Sequence, residues 1–135
     1  MEEKTYNLFL DDMRFPYDVF LYTGNPIYSK EEWVIVRSYD EFTLYISEHG
    51  LPNIISFDHD LADEHYAYYD TEVTSEIDYN RFTEKTGYEC AKWVVDYCID
   101  RDYIPCPQYL AHTMNTVGGE NIIGLFKNYM KHINE

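Results

Sequence analysis

Three short segments concentrate the side chains able to do chemistry: Asp11-Asp12 with Arg14 close behind, Asp58-His59-Asp60, and the run from His112 through Thr113 and Asn115 to Gly118-Gly119. Crowded carboxylates raise one another's proton affinity, so a cluster of them calls for a cation. Mg2+ or Mn2+, which prefer hard oxygen ligands and commonly bridge protein carboxylates to a substrate phosphate, are the natural occupants. Asp11, Asp12 and Asp58 are the expected ligands, with Asp60 as an outer or alternate one. Adjacent aspartates also suit the turns that follow strands. The metal reading therefore depends on a fold that brings the two acidic segments together.

The late segment combines an imidazole, a turn and a helix start. His112 has an unperturbed pKa close to working pH, so it can protonate a leaving oxygen or hydrogen-bond a phosphate, with Asn115 orienting it or the ligand. Backbone N–H groups at Gly118, Gly119 and Glu120 are expected to be unpaired at the helix start and to point at an anion. Arg14 suits either a bidentate phosphate clamp or a salt bridge to a carboxylate. His59, between two aspartates, ranks below His112.

The elements that must position these residues follow from periodicity and punctuation. Residues 5–10, 33–37, 53–57 and 108–111 are apolar or β-branched and read as strands, three of them running into the chemical segments. Ser38-Tyr39-Asp40-Glu41 and Thr86-Gly87-Tyr88-Glu89 are capping boxes that open helices, and Gly50 with Pro52 closes the first of these. A last helix carries Ile122, Phe126, Tyr129, Met130 and Ile133. Strands alternating with helices predict a three-layer α/β fold: a short parallel sheet of about four strands, order 2-1-3-4, with helices on both faces. The ligand crevice of such a sheet lies beyond the carboxyl ends of its strands, at the switch point flanked by strands one and three, where Asp11, Asp12 and Asp58 fall. Two connections, 13–32 and 62–85, are longer than such folds require, and either is able to cover the crevice. For the second, a surface insertion is an equal expectation.

With 135 residues, one domain spanning 1–135 is expected. The net charge of −15 opposes sequence-wide binding to duplex DNA, yet carboxylates that hold a divalent cation make an acidic region hospitable to a phosphate. The 15 tyrosines suit half-buried packing better than base stacking. Three cysteines, Cys90, Cys98 and Cys106, in neither a C-x-x-C nor a zinc pattern, read as reduced packing thiols. No apolar run reaches the roughly 18 residues that span a bilayer, and the Met1-Glu2-Glu3-Lys4 start lacks the basic character of a signal peptide. A cytoplasmic protein without membrane contact is the expectation.

Taken together, Leu8-Phe9-Leu10-Asp11-Asp12-Met13-Arg14-Phe15-Pro16, Phe57-Asp58-His59-Asp60-Leu61, Thr86-Gly87 with Ala91 and Trp93, and His112 to Ile122 resemble the cyclic-phosphate processing receiver-like family. The match covers nearly the whole chain in order. It implies a trimmed receiver-type fold whose acidic pocket is turned to phosphate processing, with Asp11, Asp12 and Asp58 at the metal and His112 and Asn115 at the phosphate. Where the resemblance leads one to expect H-S-x-N-P, the chain has His112-Thr113-Met114-Asn115-Thr116, which keeps the hydroxyl and loses a stiffening proline.

Three functions fit these residues. One is a metal-dependent phosphoesterase that opens a cyclic phosphate on a small nucleotide or an RNA terminus, the small nucleotide suiting the acidic chain better. A second is a receiver in which Asp58 accepts a phosphoryl group, with Thr113 near the switch hydroxyl; no fifth strand ending in lysine is apparent, and Lys127 and Lys131 fall in the last helix. The third is a module that binds a nucleotide or a protein without turnover.

Overall fold

Four parallel strands form the sheet in the order β2-β1-β3-β4, from β1 (Asn7–Leu10), β2 (Val34–Val36), β3 (Ile54–Phe57) and β4 (Gln108–Ala111). The computed structural model describes residues 5–58 and 86–134. Leu10 lies level with Val36 on one side and Phe57 on the other, and Phe57 is level with Ala111, so the carboxyl ends of all four strands finish at one edge.

Five helices are described: α1 (Pro16–Thr23), α2 (Ile27–Lys30), α3 (Tyr39–His49), α4 (Gly87–Asp100) and α5 (Thr116–Ile133). The chain steps from β1 to β2 in one direction and from β2 to β3 and β4 in the other. Right-handed crossovers then require the helices after β1 and those after β2 and β3 to lie on opposite faces. The packing agrees. Phe9 buries against Val19 and Tyr28 of α1 and α2, whereas Leu8, Leu10, Ile55 and Phe57 pack with Phe42 of α3, Val94 of α4 and Phe126 of α5. Phe42 and Phe126 both lie against Phe57, with ring centroids 5.8 and 5.5 Å away. Each fully buried aromatic of this kind contributes about 1.5–3 kcal/mol.

The ends of the helices follow the sequence signals. Ser38 Oγ accepts the Glu41 N–H at 3.1 Å, and Thr86 Oγ1 accepts the Glu89 N–H at 3.3 Å. The first box is not fully reciprocal: Glu41 reaches back to the N–H of Arg37, 2.7 Å away. Gly50, at φ 86, closes α3 by donating to Ile46 O.

One expectation is corrected. The segment 13–32 is not a long loop but holds α1 and α2. Pro16 sits at the first helical positions, Asp18 Oδ2 accepts the Phe15 N–H at 2.8 Å, and Gly24 at φ 73 ends the helix. The same Pro and Gly that read as loop punctuation are start and stop signals when they bracket an eight-residue helix that begins at Pro16. Three strands are also shorter than expected, since 5–6 precede β1, Trp33 and Arg37 flank β2, and Asn53 precedes β3. Trp33 instead donates its indole N–H to Ile27 O at 3.2 Å.

Cys90, Cys98 and Cys106 are free thiols, the first two buried. Among the described residues, no helix is long and apolar enough to cross a membrane. The expected covering role of residues 62–85 lies outside the described residues, as do His59 and Asp60.

Candidate metal centre and its pocket

The three residues that follow β1, β3 and β4 stay on the hydrogen-bond ladder. Asp11 N–H donates to Val36 O at 3.2 Å, Asp58 N–H to Leu10 O at 2.9 Å, and His112 N–H to Phe57 O at 2.9 Å. Each backbone is thus fixed by the neighbouring strand, and Asp11, Asp58 and His112 stand side by side along the carboxyl edge. Side chains two apart on a strand share a face. Asp11 therefore points as Phe9 does, Asp58 as Ser56 and His112 as Leu110, all towards α1 and α2.

Asp11, Asp12 and Asp58 each offer a carboxylate oxygen, and these oxygens lie within 4.8 Å of one another. Asp11 and Asp58 are buried, at 1% and 4% exposure. Burial and then the charges of Asp11 and Asp12 push the Asp58 carboxyl up to about 7, against the opposing pull of a hydrogen bond from the Thr113 hydroxyl and the charge of Arg14. Asp11 goes the other way. Burial raises its pKa, but hydrogen bonds from His112 and from the backbone N–H groups of Arg14 and Met13 outweigh that effect and hold it below the usual carboxylate range. Both N–H groups reach Oδ1 at 2.9 Å, leaving Oδ2 to His112.

These donors fit a hard divalent cation. All three are carboxylates, they converge, and the cluster keeps a proton on Asp58 close to neutrality unless positive charge replaces it. Asp11, Asp12 and Asp58 are the residues that would hold such a cation.

The carboxylates open into a cavity of about 230 Å³, bounded also by Arg14, Thr113 and Asn115. The Arg14 guanidinium is 3.7 Å from Asp11 Oδ2 and 5.4 Å from the centre of the Tyr22 ring, with about a third of the side chain exposed. It forms the expected salt bridge while remaining at the cavity, so both roles weighed for it are compatible. Arg37, which sequence reasoning did not single out, donates to Asp11 O at 3.1 Å and Arg14 O at 2.6 Å and pins the loop that carries both.

His112 lies beside the carboxylates, but its ring does not line the cavity. Its side chain is fully buried, stacked on Phe9 with ring centroids 4.6 Å apart, and both ring nitrogens are engaged. Nε2 lies 3.0 Å from Asp11 Oδ2, and Nδ1 lies 2.7 Å from Ser56 Oγ. Burial lowers its pKa, only partly opposed by Asp11, so the imidazole is neutral. Because a carboxylate can only accept, Nε2 carries the hydrogen and Nδ1 accepts from Ser56. Ser56 Oγ in turn lies 2.6 Å from the Tyr28 hydroxyl, whose pKa burial pushes up to about 12. The result is a one-way chain of donors, Tyr28 to Ser56 to His112 to Asp11, behind the carboxylates. A histidine so enclosed, absent from the cavity wall, is better placed to hold Asp11 than to reach a leaving group in the cavity. Ser56 and Tyr28 were missed; the available signal was a lone hydroxyl inside the otherwise apolar run Ile54-Ile55-Ser56-Phe57.

The glycines are also differently employed. Gly118 N–H donates to Asn115 Oδ1 and Gly119 N–H to Asn115 O, both at 2.9 Å, so neither donor is free for an anion. Asn115 is the N-cap of α5, which explains the pairing. A Cβ on Gly119 would meet Thr113 Cγ2 at 3.2 Å, so this glycine lets α5 approach the loop that carries the Thr113 hydroxyl.

A four-stranded parallel sheet with an acidic pocket at its carboxyl edge defines a receiver-like α/β domain of flavodoxin type. Residues 6–128 match the family model of the cyclic-phosphate processing receiver domain, and the chain belongs to that family. No curated protein and no solved structure gives a significant match.

Proposed function

We propose that the domain binds a divalent cation through Asp11, Asp12 and Asp58 and uses it to process a cyclic phosphate as a phosphoesterase. The observation that carries this reading is the convergence of three carboxylates within 4.8 Å beside a guanidinium, an arrangement that holds both a cation and the phosphate the cation attracts. A bound cation would polarise the phosphoryl oxygens and orient an attacking water. Arg14 faces the anionic group from the cavity wall beside Asn115, while the Thr113 hydroxyl is held by Asp58 and becomes a phosphate donor when a cation takes over that carboxylate. His112 holds Asp11 in place and does not touch the substrate. Family membership supports the cyclic-phosphate theme, and the net charge of −15 favours a small ligand over a long polyanion. Free thiols and the absence of a spanning helix among the described residues suit a cytoplasmic setting.

A second reading, phosphoryl transfer to Asp58, is favoured by one feature: Asp58 directly follows β3 and accepts a hydrogen bond from the Thr113 hydroxyl. Against it, Arg14 rather than a lysine is the cation among the described residues of the cavity. One set of assays separates the readings. Wild type and Asp58→Asn are incubated with Mg2+ or Mn2+ and a panel of 2′,3′- and 3′,5′-cyclic nucleotides, and separately with acetyl phosphate. Metal-dependent ring opening lost in the variant is expected. Binding without turnover would leave a binding module, and acetyl-phosphate labelling confined to wild type would favour the receiver.

A further inference from the structure

The phosphate cavity is not isolated. Thr113 and Asn115 form its wall and also the wall of a second, larger cleft of about 570 Å³ between β4 and α5. This cleft exists because the sheet ends at β4: among the described residues no strand pairs with its outer side, and α5 overhangs that edge. Its lining is mixed, with Tyr109, Leu110 and Ile123 supplying apolar surface and Glu120 and Lys127 supplying charge. Tyr109 is a fixed wall, its ring stacked on Phe126 with centroids 4.9 Å apart. Gly124 leaves room: a Cβ there would meet nothing within 4 Å.

We propose that this cleft receives the nucleoside of a mononucleoside cyclic phosphate whose phosphate sits at the carboxylate cluster, with Thr113 and Asn115 at the junction. This rests on the metal-centred reading above and adds what it leaves open, namely the class of group the phosphate carries. Size supports the division. A volume of about 230 Å³ suits a hydrated metal and a phosphate, and about 570 Å³ falls within the range of pockets that bury an organic ligand of nucleoside size. A planar base with polar edges matches a cleft whose walls are aromatic and aliphatic with a few convergent polar groups. A mononucleotide rather than an RNA end follows from the charge of −15, because each further phosphodiester leaving the cleft would add repulsion without a basic track to receive it.

Gly124→Leu tests the proposal, since it fills the cleft from a helix interior where a larger side chain also favours the helix. Wild type and variant, loaded with Mn2+, are titrated calorimetrically with inorganic phosphate, adenosine 2′,3′-cyclic phosphate and a short RNA ending in a 2′,3′-cyclic phosphate. Expected are equal metal and phosphate uptake in both proteins, at least tenfold weaker binding of the cyclic nucleotide by Gly124→Leu, and weaker binding of the RNA than of the mononucleotide by wild type. Amide shifts of wild type give a second measure: changes along Glu120 to Lys127 are expected with the cyclic nucleotide and not with phosphate. Normal metal and phosphate uptake with equal nucleotide affinity in both proteins, or no response along α5, would overturn the cleft alone. RNA binding as tightly as the mononucleotide would overturn the ligand class. Absence of metal uptake in wild type would remove the metal-centred reading and this proposal with it.

Discussion

His112 Nε2 donates to Asp11 Oδ2 across 3.0 Å, although 101 positions separate the two residues in sequence. The contact exists because β1 and β4 lie on either side of β3 and end level with it, so that both residues project from one edge towards one face. It leaves Asp11 charged and oriented, and keeps the imidazole away from solvent.

His112→Ala is therefore expected to act through Asp11. Removing the ring strips a hydrogen bond from Asp11 and Ser56 and opens a cavity against Phe9, which should cost about 2–4 kcal/mol of stability. Metal affinity should fall roughly 10- to 100-fold, the usual effect of losing a residue that orients a ligand. Urea unfolding and calorimetric Mn2+ titration measure both. Intact metal affinity with turnover abolished would instead make His112 the acid.

Asp58→Asn should separate stability from binding. The substitution removes a carboxylate that burial and its neighbours already disfavour, so the metal-free variant is expected to melt at or above the wild-type temperature at pH 8. Wild type should gain about 2.7 kcal/mol with cation at a hundred times its dissociation constant, and the variant little of this. Equal cation stabilisation of both proteins in thermal melts would count against Asp58 as a ligand.

The pH dependence has two opposed parts. Asp58 titrates near 7 in the fold and near 4 when unfolded, so the native state binds the extra proton between those values, and this group's contribution to metal-free stability falls as pH rises from about 4 to about 7. Asp11 is held below its ordinary value, so its contribution is present above about pH 4 and is lost as pH falls below that. Mn2+ must displace the Asp58 proton, and its affinity should climb with pH and level off above about 7. Melts in chelator and metal titrations from pH 5 to 8.5 test this; affinity flat across that range would exclude Asp58 from the first ligands.

The donor chain makes a coupling prediction. Ser56→Ala leaves His112 Nδ1 and the Tyr28 hydroxyl without their shared partner and should cost about 1–3 kcal/mol. Tyr28→Phe removes one end only and should cost less. A double-mutant cycle by urea unfolding is expected to give a coupling of about 0.5 kcal/mol or more, because both changes act on one network. Strict additivity would mean that the chain is not cooperative.

Much of the fold was legible because its signals are local. Apolar runs of four or five residues, Ser38 and Thr86 followed three positions later by glutamate, and Gly50 before Pro52 each report on neighbouring backbone. Pro16 and Gly24 show the limit of that reading, since the same residues punctuate loops and helices, and the packing of Val19 against Phe9 is what the local signals do not report.

At the site, the sequence by itself determined the candidate ligands: carboxylates fall directly after two apolar strands, and alternation of strands and helices puts them at one edge, although turn-capping aspartates would read the same way. Tertiary structure alone decided their partners. That Asp11 keeps its charge while Asp58 takes up a proton, that His112 faces inward, and that Asn115 occupies the N–H groups of Gly118 and Gly119 all depend on distances of a few ångströms between distant segments. The physical reason is that protonation and hydrogen bonding respond to burial and to neighbouring charge, neither of which a residue carries in its own type.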